Sequence, residues 1–355
     1  MHRVIALTVM LVAFVPPLQA EDFLNWLDAV GSQYSDKGVI EGDRAELITL
    51  EKRESEMYPK VSPDGKYFLA VSSKSRQHRI TRRLLENGDP INIVSESDPQ
   101  ALDSIAWYGN EAVTFLSFRA DSPGLWKKPV SGGVTRRLNG RLDGELRSPI
   151  VLEDESLIAV RLHSSSRLVA PKSAKEKSYK LAFDNWQSKG KQPHLIKISK
   201  EGVESELASG VNPSLSPDGK RLVFSMQAGR SWHLFMMNVD GSGLMQLSEG
   251  RSIDVQPTWS PDGKWVAFTS NRGDADMRHS QKGNWDIWMI AHDGRHLTRL
   301  TTDEARDGAP SFANNGRIYF HSDRKVSKQD LDGHQLHSAT KGFHIWSVML
   351  PAMAN

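Results

Sequence analysis

The chain has 355 residues, with 45 Lys and Arg against 43 Asp and Glu, and it contains no cysteine. This length allows a sizeable hydrophobic core, either in two ordinary domains or in one large β architecture. The near balance of charge argues against a protein that binds nucleic acid or a membrane surface, because such affinity comes from a basic excess. The lack of cysteine excludes disulfides, a thiol nucleophile, a thiolate zinc site and an iron–sulfur cluster.

Residues 1–20 have the pattern of a signal peptide for export. His2 and Arg3 give a basic start, Ile5 to Val15 form an apolar run, and the segment ends on the small residue Ala20. A membrane anchor is the alternative, but the apolar run is shorter than the roughly 20 residues that a membrane-spanning helix needs. We therefore expect cleavage after Ala20 and a periplasmic mature chain without a transmembrane segment.

Residues 21–44 precede the part of the chain that carries repeats. The segment DFLNWLDAV (22–30) places Phe23, Leu27 and further apolar residues on one helical face, with Asp22 as the N-cap. This pattern predicts a short N-terminal helix that packs on the following domain. A helix that binds a partner is the alternative.

A turn followed by a strand pattern recurs from residue 45 onward. Ser-Pro-Asp-Gly has the chemistry of a tight turn, because proline presets φ near −65°, aspartate bonds its own backbone and glycine accepts positive φ. Apolar and polar residues then alternate, as in a strand with at least one buried face. The copies are YPKVSPDGKYFLAVSS (58–73), SIAWYGNEAVTFLS (104–117), PIVLEDESLIAVRL (149–162), PSLSPDGKRLVFSM (213–226), PTWSPDGKWVAFTSNR (257–272) and PSFANNGRIYFHSDR (310–324).

Each unit has a second half that reads as strand, glycine-containing turn and strand. Two halves give four short strands in roughly 40–50 residues, which is the size of a propeller blade. Such a sheet cannot bury both faces alone, but six sheets arranged radially bury them against each other. We therefore predict an all-β fold, a six-bladed β-propeller of four-stranded blades over residues 45–355. The second halves are GLWKKPVSGGVTRRLN (124–139), HLIKISKEGVESELAS (194–209), WHLFMMNVDGSGLMQLS (232–248) and WDIWMIAHDGRHLTRLT (285–301).

The two ends of the repeat region complement each other. Residues 45–65 align with residues 296–316, so that Leu47 to Leu50 has the pattern of an outer blade strand that comes early in the chain. The segment HIWSVML (344–350) supplies a third strand, and no fourth strand follows it. We predict that Leu47–Leu50 pairs with the strand containing Ile345 and removes the exposed edge of the last blade.

The spaced P-x-x-S-P-D-G-K-x-x-x-F-x-S unit, with its later D-G and L-T half, resembles the repeats of TolB-type six-bladed propellers from about residue 45 to 350. This resemblance implies a periplasmic protein that works in envelope complexes. TolB has an α/β domain ahead of its propeller, whereas only Glu21 to Arg44 precede the first strand here. Roles that belong to that α/β domain are therefore not carried over.

The sequence is also similar to the propeller domains of prolyl-oligopeptidase-type serine peptidases. Tyr179, the run Phe183-Asp184-Asn185-Trp186 and His194-Leu195 carry this second resemblance. In those enzymes a following α/β-hydrolase domain performs the chemistry, and the sequence contains no G-x-S-x-G motif. We therefore do not expect peptidase activity.

Acidic residues stand close to the start of the first strand in several blades. In a propeller this connection lies at one mouth of the central channel, so carboxylates from successive blades would form a ring of negative potential. Such a ring is suited to a cation or a basic peptide segment. The alternative is that the acids cap turns or pair with Arg and Lys. The predicted partner-binding acids are Glu56, Asp103, Glu145, Asp254 and Asp307.

Two arginines occupy equivalent places after the second strand of their blades, Arg272 and Arg324. We include them in the candidate partner-binding set and favour a pairing with acids of a neighbouring blade over ligand binding. His321 precedes Arg324 by three residues and is expected on the channel side as a structural residue.

No cofactor is predicted. The sequence contains neither G-x-G-x-x-G nor G-x-x-x-x-G-K-[ST], so it gives no support for nucleotide binding. His292 and His296 are four apart, but a predicted hairpin turn separates them and argues against zinc. Asp274, Asp276 and His279 lack the remainder of a calcium loop. A calcium or zinc ion in the central channel is not supported by any motif.

The sequence favours a non-catalytic, monomeric propeller scaffold that binds an envelope protein or peptide. A metal-dependent hydrolase or lactonase is the alternative from another class, with Glu56, Asp254 and Asp307 as ligands of a channel metal. A third hypothesis is that exposed tryptophans stack on an envelope polysaccharide. Most of the ten tryptophans fall at strand positions, where packing explains them better.

Overall fold

Six antiparallel sheets of four strands each make up the described part of the chain. The computed structural model describes residues 44–51, 54–74, 77–96, 105–117, 124–138, 142, 144–163, 183, 186–188, 190–273, 284–327, 330 and 342–351. These residues belong to one compact unit, Val39–Asn355. The predicted signal peptide and the predicted helix at 22–30 lie outside the described residues.

Each sheet is one blade, and its strands follow one another in chain order from the channel outward, except in blade 6. Strand β1 (Glu46–Leu47) comes first in the chain and belongs to blade 6. Blade 1 has β2 (Ser55–Val61), β3 (Tyr67–Lys74), β4 (Gln77–Leu84) and β5 (Pro90–Glu96). Blade 2 has β6 (Ala106–Tyr108), β7 (Ala112–Ser117), β8 (Gly124–Pro129) and β9 (Arg136–Arg137). Blade 3 has β10 (Glu145–Val151), β11 (Leu157–His163), β12 (Gln192–Ile198) and β13 (Glu204–Ser209). Blade 4 has β14 (Val211–Leu215), β15 (Arg221–Ala228), β16 (Ser231–Asn238) and β17 (Met245–Gln246). Blade 5 has β18 (Asp254–Trp259), β19 (Trp265–Ser270), β20 (Asp286–Ala291) and β21 (Thr298–Arg299). Blade 6 has β22 (Asp307–Phe312), β23 (Arg317–Ser322) and β24 (His344–Met349), followed by β1 at its outer edge.

The Ser-Pro-Asp-Gly repeat forms the turn between the first and second strands of a blade. In blade 1, the Ser62 hydroxyl donates to Asp64 Oδ1 at 2.6 Å, and Gly65 N donates to Ser62 O at 2.9 Å. Gly65 has a φ of 68°, which a residue with a side chain adopts less readily. The same serine–aspartate bond recurs in blades 4 and 5. These residues are therefore scaffold, as their repetition along the sequence indicates.

Aromatic pairs fill the interior of four blades. Phenylalanines at the same place in the second strand are fully buried, and each one lies opposite an aromatic residue of the third strand. Cross-strand aromatic pairs of this kind stabilise a sheet and fill the space between blades. The pairs are Phe115 with Trp126, Phe224 with Phe235, Phe268 with Trp288, and Phe320 with Trp346.

The N-terminal strand completes the last blade, as the sequence predicts. Glu46 lies opposite Ser347, and Leu47 lies opposite Trp346. The pairing continues past the strand, since Ile48 N donates to Ile345 O at 2.8 Å. The predicted six-bladed propeller, with four strands in each blade and a closing strand from near the N-terminus, is confirmed.

A bulge recurs in the innermost strand of five blades, at the residue that precedes a proline. The register shifts there by one position, and the residue has a φ between 49° and 57°. Residues before proline are normally extended, and a bulge bends a strand and redirects its side chains. In this fold the bulges lie along the wall of the central channel. The bulged residues are Tyr58, Ser148, Asn212, Gln256 and Ala309.

Candidate functional site in the central channel

A cavity of 380 Å³ lies in the central channel and is bordered by the innermost strands of all six blades. Its volume is within the range of about 300–1,000 Å³ that is typical of ligand pockets. Each innermost strand is the first strand of its sheet and has a neighbour on one side only. Main-chain donors and acceptors therefore contribute to the cavity wall together with side chains.

Lys60 is the one charged side chain among the described residues that line this cavity. Burial lowers the pKa of its ammonium group, and no described carboxylate offsets that effect. The described wall of the cavity is therefore cationic. Lys60 directly follows Pro59 in β2, and the equivalent residues in the other blades are Ala106, Ile150, Ser214, Thr258 and Ser311.

The main chain around Lys60 is held by both neighbouring blades. Trp107 Nε1 of blade 2 donates to Lys60 O at 2.7 Å. On the other side, Val61 N donates to the Ser311 hydroxyl of blade 6 at 3.0 Å. These contacts fix the position from which the lysine side chain extends.

Two amide side chains lie at bulge positions in the cavity wall and differ in their hydrogen bonding. Gln256 Oε1 accepts from Thr269 Oγ1 at 2.9 Å and from Ala309 N at 2.8 Å. Asn212 Oδ1 is buried and has no hydrogen-bond partner among the described residues. A buried polar atom without a partner costs free energy, so Asn212 retains capacity to bind a ligand.

An aromatic cluster packs beside the channel. Phe183, in the long connection of blade 3, lies 5.5 Å from Trp285 of blade 5 and 6.0 Å from Phe343 of blade 6, measured between ring centroids. Gln256 Nε2 donates to Phe183 O at 3.4 Å, which links this cluster to the cavity wall. Trp186 continues the cluster to Trp285 and to Trp232 of blade 4.

His321 lies in the same cluster and is fully buried. Its Nδ1 accepts a hydrogen bond from Tyr58 N at 3.1 Å, and the rings of Tyr58, Phe183 and Phe343 meet it edge-on. Burial, together with the charges of Arg306 and Lys60, lowers the pKa of His321 to about 3. The imidazole is therefore neutral near pH 7 and joins blade 6 to blade 1.

The predicted acids Asp254 and Asp307 are fully buried and paired with the two predicted arginines. Arg272 Nη2 lies 2.5 Å from Asp254 Oδ2, and Arg324 pairs with Asp307 in the same way. Each pair lies within one blade, whereas the sequence favoured a pairing between neighbouring blades. Each guanidinium also stacks on aromatic rings, as Arg272 does on Trp288 at 5.7 Å.

Glu56 is also buried and paired with an arginine of its own blade, but that arginine lies in a different strand. Its carboxylate is fully buried, and Glu56 Oε1 lies 2.7 Å from Nη2 of Arg83, a residue of β4. Burial raises the pKa of Glu56 despite that partner. For all three acids, the pairing alternative holds in the structure. Whether a partner also contacts them stays a prediction.

Hydroxyl groups join these acids to the preceding blade. The Ser248 hydroxyl of blade 4 donates to Asp254 Oδ2 at 2.6 Å, across the junction to blade 5. The Thr301 and Thr49 hydroxyls lie beside Asp307 and Glu56 at the next two junctions, and each lowers the pKa of its acid. The repeated acid therefore connects adjacent blades at the junctions 4/5, 5/6 and 6/1.

The third strand contributes one more residue to each of these junctions. His233 Nδ1 of blade 4 lies 3.7 Å from Asp254 Oδ2, and His344 has the equivalent position in blade 6. Blade 5 has Asp286 at this position, close enough to Asp307 for the two carboxylates to repel each other. Burial, and then Asp307, raise the pKa of Asp286 to about 8 although Arg299 lies 2.8 Å away.

The remaining predicted residues are dispersed. Glu145 pairs with Arg147 at 3.1 Å and with Lys191, at the start of β10. Asp103 lies outside the described residues. His296 packs against the Trp265 ring at 6.2 Å.

Within the described ranges, no group of three or more His, Cys, Asp or Glu side chains is arranged to hold a metal ion. Asp274, Asp276 and His279 lie outside those ranges. In the described part of the chain, no helix combines the length and apolar character that a membrane span requires.

Lys60 and Asn212 are the site residues that sequence reasoning missed. A signal for Lys60 was present, because the repeats have small or apolar residues after the proline and Lys60 alone breaks the pattern. No such signal marks Asn212, whose unpartnered oxygen becomes visible only when the packing around it is known.

Comparisons with known proteins agree with this fold. The family model described as the TolB beta propeller domain matches residues 153–277. The solved structure of TolB from Acinetobacter baumannii aligns with a TM-score of 0.50 and 15% identity, over 83% of this chain and 63% of that chain. At this identity, the likeness supports the fold alone.

Two curated relatives match shorter segments. An uncharacterised protein of Agrobacterium fabrum is 27% identical over 131 residues, which are 33% of this chain and 42% of that protein. Dipeptidyl-peptidase 5 of Porphyromonas gingivalis is 41% identical over 68 residues, which are 17% of this chain and 10% of that protein. The matched segments thus span less than half of either relative.

Proposed function

Because the chain is a TolB-like six-bladed β-propeller, we propose that it is a non-catalytic binding protein that holds a segment of a protein or peptide partner in its central channel. The observation that carries this proposal is the 380 Å³ cavity to which all six blades contribute. A rigid ring that surrounds one cavity positions many side chains around a ligand without rearrangement, which keeps the entropic cost of binding low.

The chemistry of the surrounding groups favours binding over catalysis. His321 accepts a backbone N–H, and its pKa of about 3 keeps it neutral, so it is poorly suited to general acid–base work near pH 7. Asp254 and Asp307 are fully occupied by arginine and hydroxyl partners. These groups support the ring and leave the cavity for a ligand.

The partner is a periplasmic or envelope-associated protein in this proposal. The basic and apolar residues of segment 1–20 support export, and the similarity to TolB supports the same compartment. The propeller acts as a monomer in this proposal.

Site-specific photo-crosslinking tests this function. A photoreactive amino acid would replace Thr258 in the cavity wall, and in a control variant it would replace Val203, which is 69% exposed on the outer part of blade 3. Both variants would be irradiated in the native envelope, and adducts would be identified by mass spectrometry. We expect one dominant adduct from position 258 that is absent at position 203.

Crosslinks at position 203 alone, or the same adducts from both positions, would contradict a channel site. Elemental analysis of the purified protein provides a separate control. A stoichiometric metal together with lactone hydrolysis would support the hydrolase alternative instead.

A further inference from the structure

We propose that the channel selects a partner segment bearing a carboxylate, which pairs with Lys60 inside the cavity. This inference rests on the channel-binding function proposed above and specifies the ligand chemistry. It assigns to Lys60 and Asn212 a binding role at a site whose described lining holds no acidic side chain.

The Lys60 ammonium group has no described counterion. It lies in a cavity whose other described lining residues are polar but uncharged or apolar. Lys60 is half-buried, so its ammonium group loses part of its hydration, and no described carboxylate replaces what is lost. A ligand carboxylate would offset this cost, whereas a neutral ligand would increase it by displacing the remaining water. A cation would be repelled.

The fold does not require a lysine at this position. The other five blades form their innermost strand with alanine, isoleucine, serine or threonine at the equivalent position. The Trp-to-carbonyl bond made at Lys60 also occurs at Ser214, whose carbonyl accepts from Trp259 Nε1 at 3.2 Å. The backbone contact is therefore independent of the side chain, and no described carboxylate pairs with the Lys60 ammonium group.

Lys60 of blade 1 and Asn212 of blade 4 both line the cavity. Blades 1 and 4 lie across the ring from each other, so the two residues belong to opposite walls, and Asn212 Oδ1 has no hydrogen-bond partner among the described residues. A peptide that offers a carboxylate to Lys60 also has backbone N–H and C=O groups for the amide. This pair of contacts favours an acidic residue or a chain terminus within a peptide over a simple anion.

Chemical protection of Lys60 tests the inference on the purified full chain. Wild-type protein would be treated with limiting acetic anhydride, and acetylation of each lysine would be followed by mass spectrometry. Three small probes would be compared: N-acetylglutamate α-amide for a side-chain carboxylate, N-acetylalanine for a terminal carboxylate, and the neutral N-acetylglutamine amide. We expect a carboxylate probe to slow acetylation of Lys60 and to leave Lys66, an exposed lysine of the same blade, unchanged.

Matched variants separate charge from packing. Lys60→Ser installs the residue that blades 4 and 6 carry at this position, so we expect it to fold. Lys66→Ser removes the same charge outside the cavity. We expect binding of the effective carboxylate probe, measured by calorimetry, to weaken about tenfold in Lys60→Ser, as the loss of one charge-assisted hydrogen bond implies. Lys66→Ser should bind as the wild type does.

Several results would overturn the inference: equal protection by the neutral probe, no protection by either carboxylate probe, or unchanged binding in Lys60→Ser. The protection experiment uses the wild-type chain, so its result remains interpretable even if Lys60→Ser fails to fold.

The crosslinking experiment at Thr258 distinguishes the two proposals. A partner adduct that persists undiminished in Lys60→Ser would remove the carboxylate inference and leave channel binding intact. Protection of Lys60 without any channel adduct would remove the proposed function alone.

Discussion

Asp286 is the residue at which one blade departs from the chemistry of its neighbours. Blades 4 and 6 have histidines at this position, His233 and His344, and His233 lies next to the acid of the following blade. Blade 5 instead places Asp286 close to Asp307, and Asp286 Oδ1 has no hydrogen-bond partner among the described residues. Two buried carboxylates cannot both ionise without a cost, so Asp286 keeps its proton to a higher pH.

This raised pKa predicts a pH-dependent stability. The pKa of Asp286 is about 8 in the folded chain, against an ordinary value of 3.8 that we take for the unfolded chain. Between these values, the unfolded chain has released the proton that the folded chain keeps, so stability falls as the pH rises. Asp286→Asn removes this loss. We expect the variant to be more stable than the wild type at pH 8 by about 1 kcal/mol or more, with little difference near pH 4.

Urea denaturation at pH 4, 6 and 8 would measure the difference. Glu304→Gln is the matched control, because Glu304 is exposed in the same blade junction and should show no such dependence. An Asp286→Asn variant that is equally destabilised at all three pH values would show that Asp286 is ionised and held by Arg299.

Asp254 and Arg272 give a second prediction at this scale. Removing one partner of a buried ion pair leaves an uncompensated charge, which costs about 3–5 kcal/mol. We expect Asp254→Ala and Arg272→Met each to lower the free energy of unfolding by about 3–5 kcal/mol. The double variant should lose less than the sum of the two, because it leaves neither charge buried alone.

Denaturant unfolding of the four proteins in this double-mutant cycle gives the coupling energy. Partner crosslinking from position 258 would be measured in parallel at a temperature where all four are folded. If the single variants kept nearly wild-type stability but lost crosslinking, the result would show that Asp254 contacts the partner.

At the scale of strands and blades, the repeat pattern in the sequence predicted most of the architecture. A turn at fixed spacing, followed by alternating residues, predicted the first and second strands of each blade. The early outer strand was predictable because residues 45–65 align with residues 296–316, where a complete blade junction occurs. Both features are periodic and local in sequence, and the structure confirms them.

The candidate site was less accessible from the sequence because it depends on contacts between blades. The acids before the innermost strands were visible, but their burial against Arg272, Arg324 and Arg83 depends on how the second, third and fourth strands pack. The sequence suggested an acidic channel mouth for that reason. Among the described residues that line the cavity, Lys60 is the one charged side chain, and a partner contact at the acids stays a prediction.

The closing strand gives a prediction at the element scale. Ile48 N donates to Ile345 O at 2.8 Å, and proline at position 48 would remove this donor. We expect Ile48→Pro to destabilise the chain by about 3 kcal/mol or more and to speed hydrogen exchange along β24. Glu46→Ala is the control, since the Glu46 side chain is 66% exposed and its ion pair with Arg317 contributes little.

Hydrogen exchange followed by mass spectrometry would locate the change. Exchange that rises in β23 and β24 of blade 6 before it rises in blade 3 would support closure by β1. Wild-type protection of β24 in Ile48→Pro would mean that the outer strand adds nothing to the last blade.

At the scale of the whole molecule, one connection of blade 3 holds distant blades together. Phe183 is buried between Trp285 of blade 5 and His321 and Phe343 of blade 6. Consecutive blades are already joined by their innermost strands, whereas this contact spans the ring. It therefore couples blades that the chain order separates.

We expect truncation of the Phe183 side chain to lower stability and to speed hydrogen exchange in blades beyond blade 3. Phe183→Ala would leave a cavity among the aromatic rings, and we expect a loss of about 3 kcal/mol in the free energy of unfolding. Val203→Ala is the control in the same blade, with an exposed side chain whose loss should cost almost nothing. Hydrogen exchange should accelerate at Asp307, whose amide donates to Trp285 O at 2.8 Å, and not in the strands of blade 2. A loss well under 1 kcal/mol, or faster exchange restricted to blade 3, would show that Phe183 fills space locally and that ring closure depends on the innermost strands and β1.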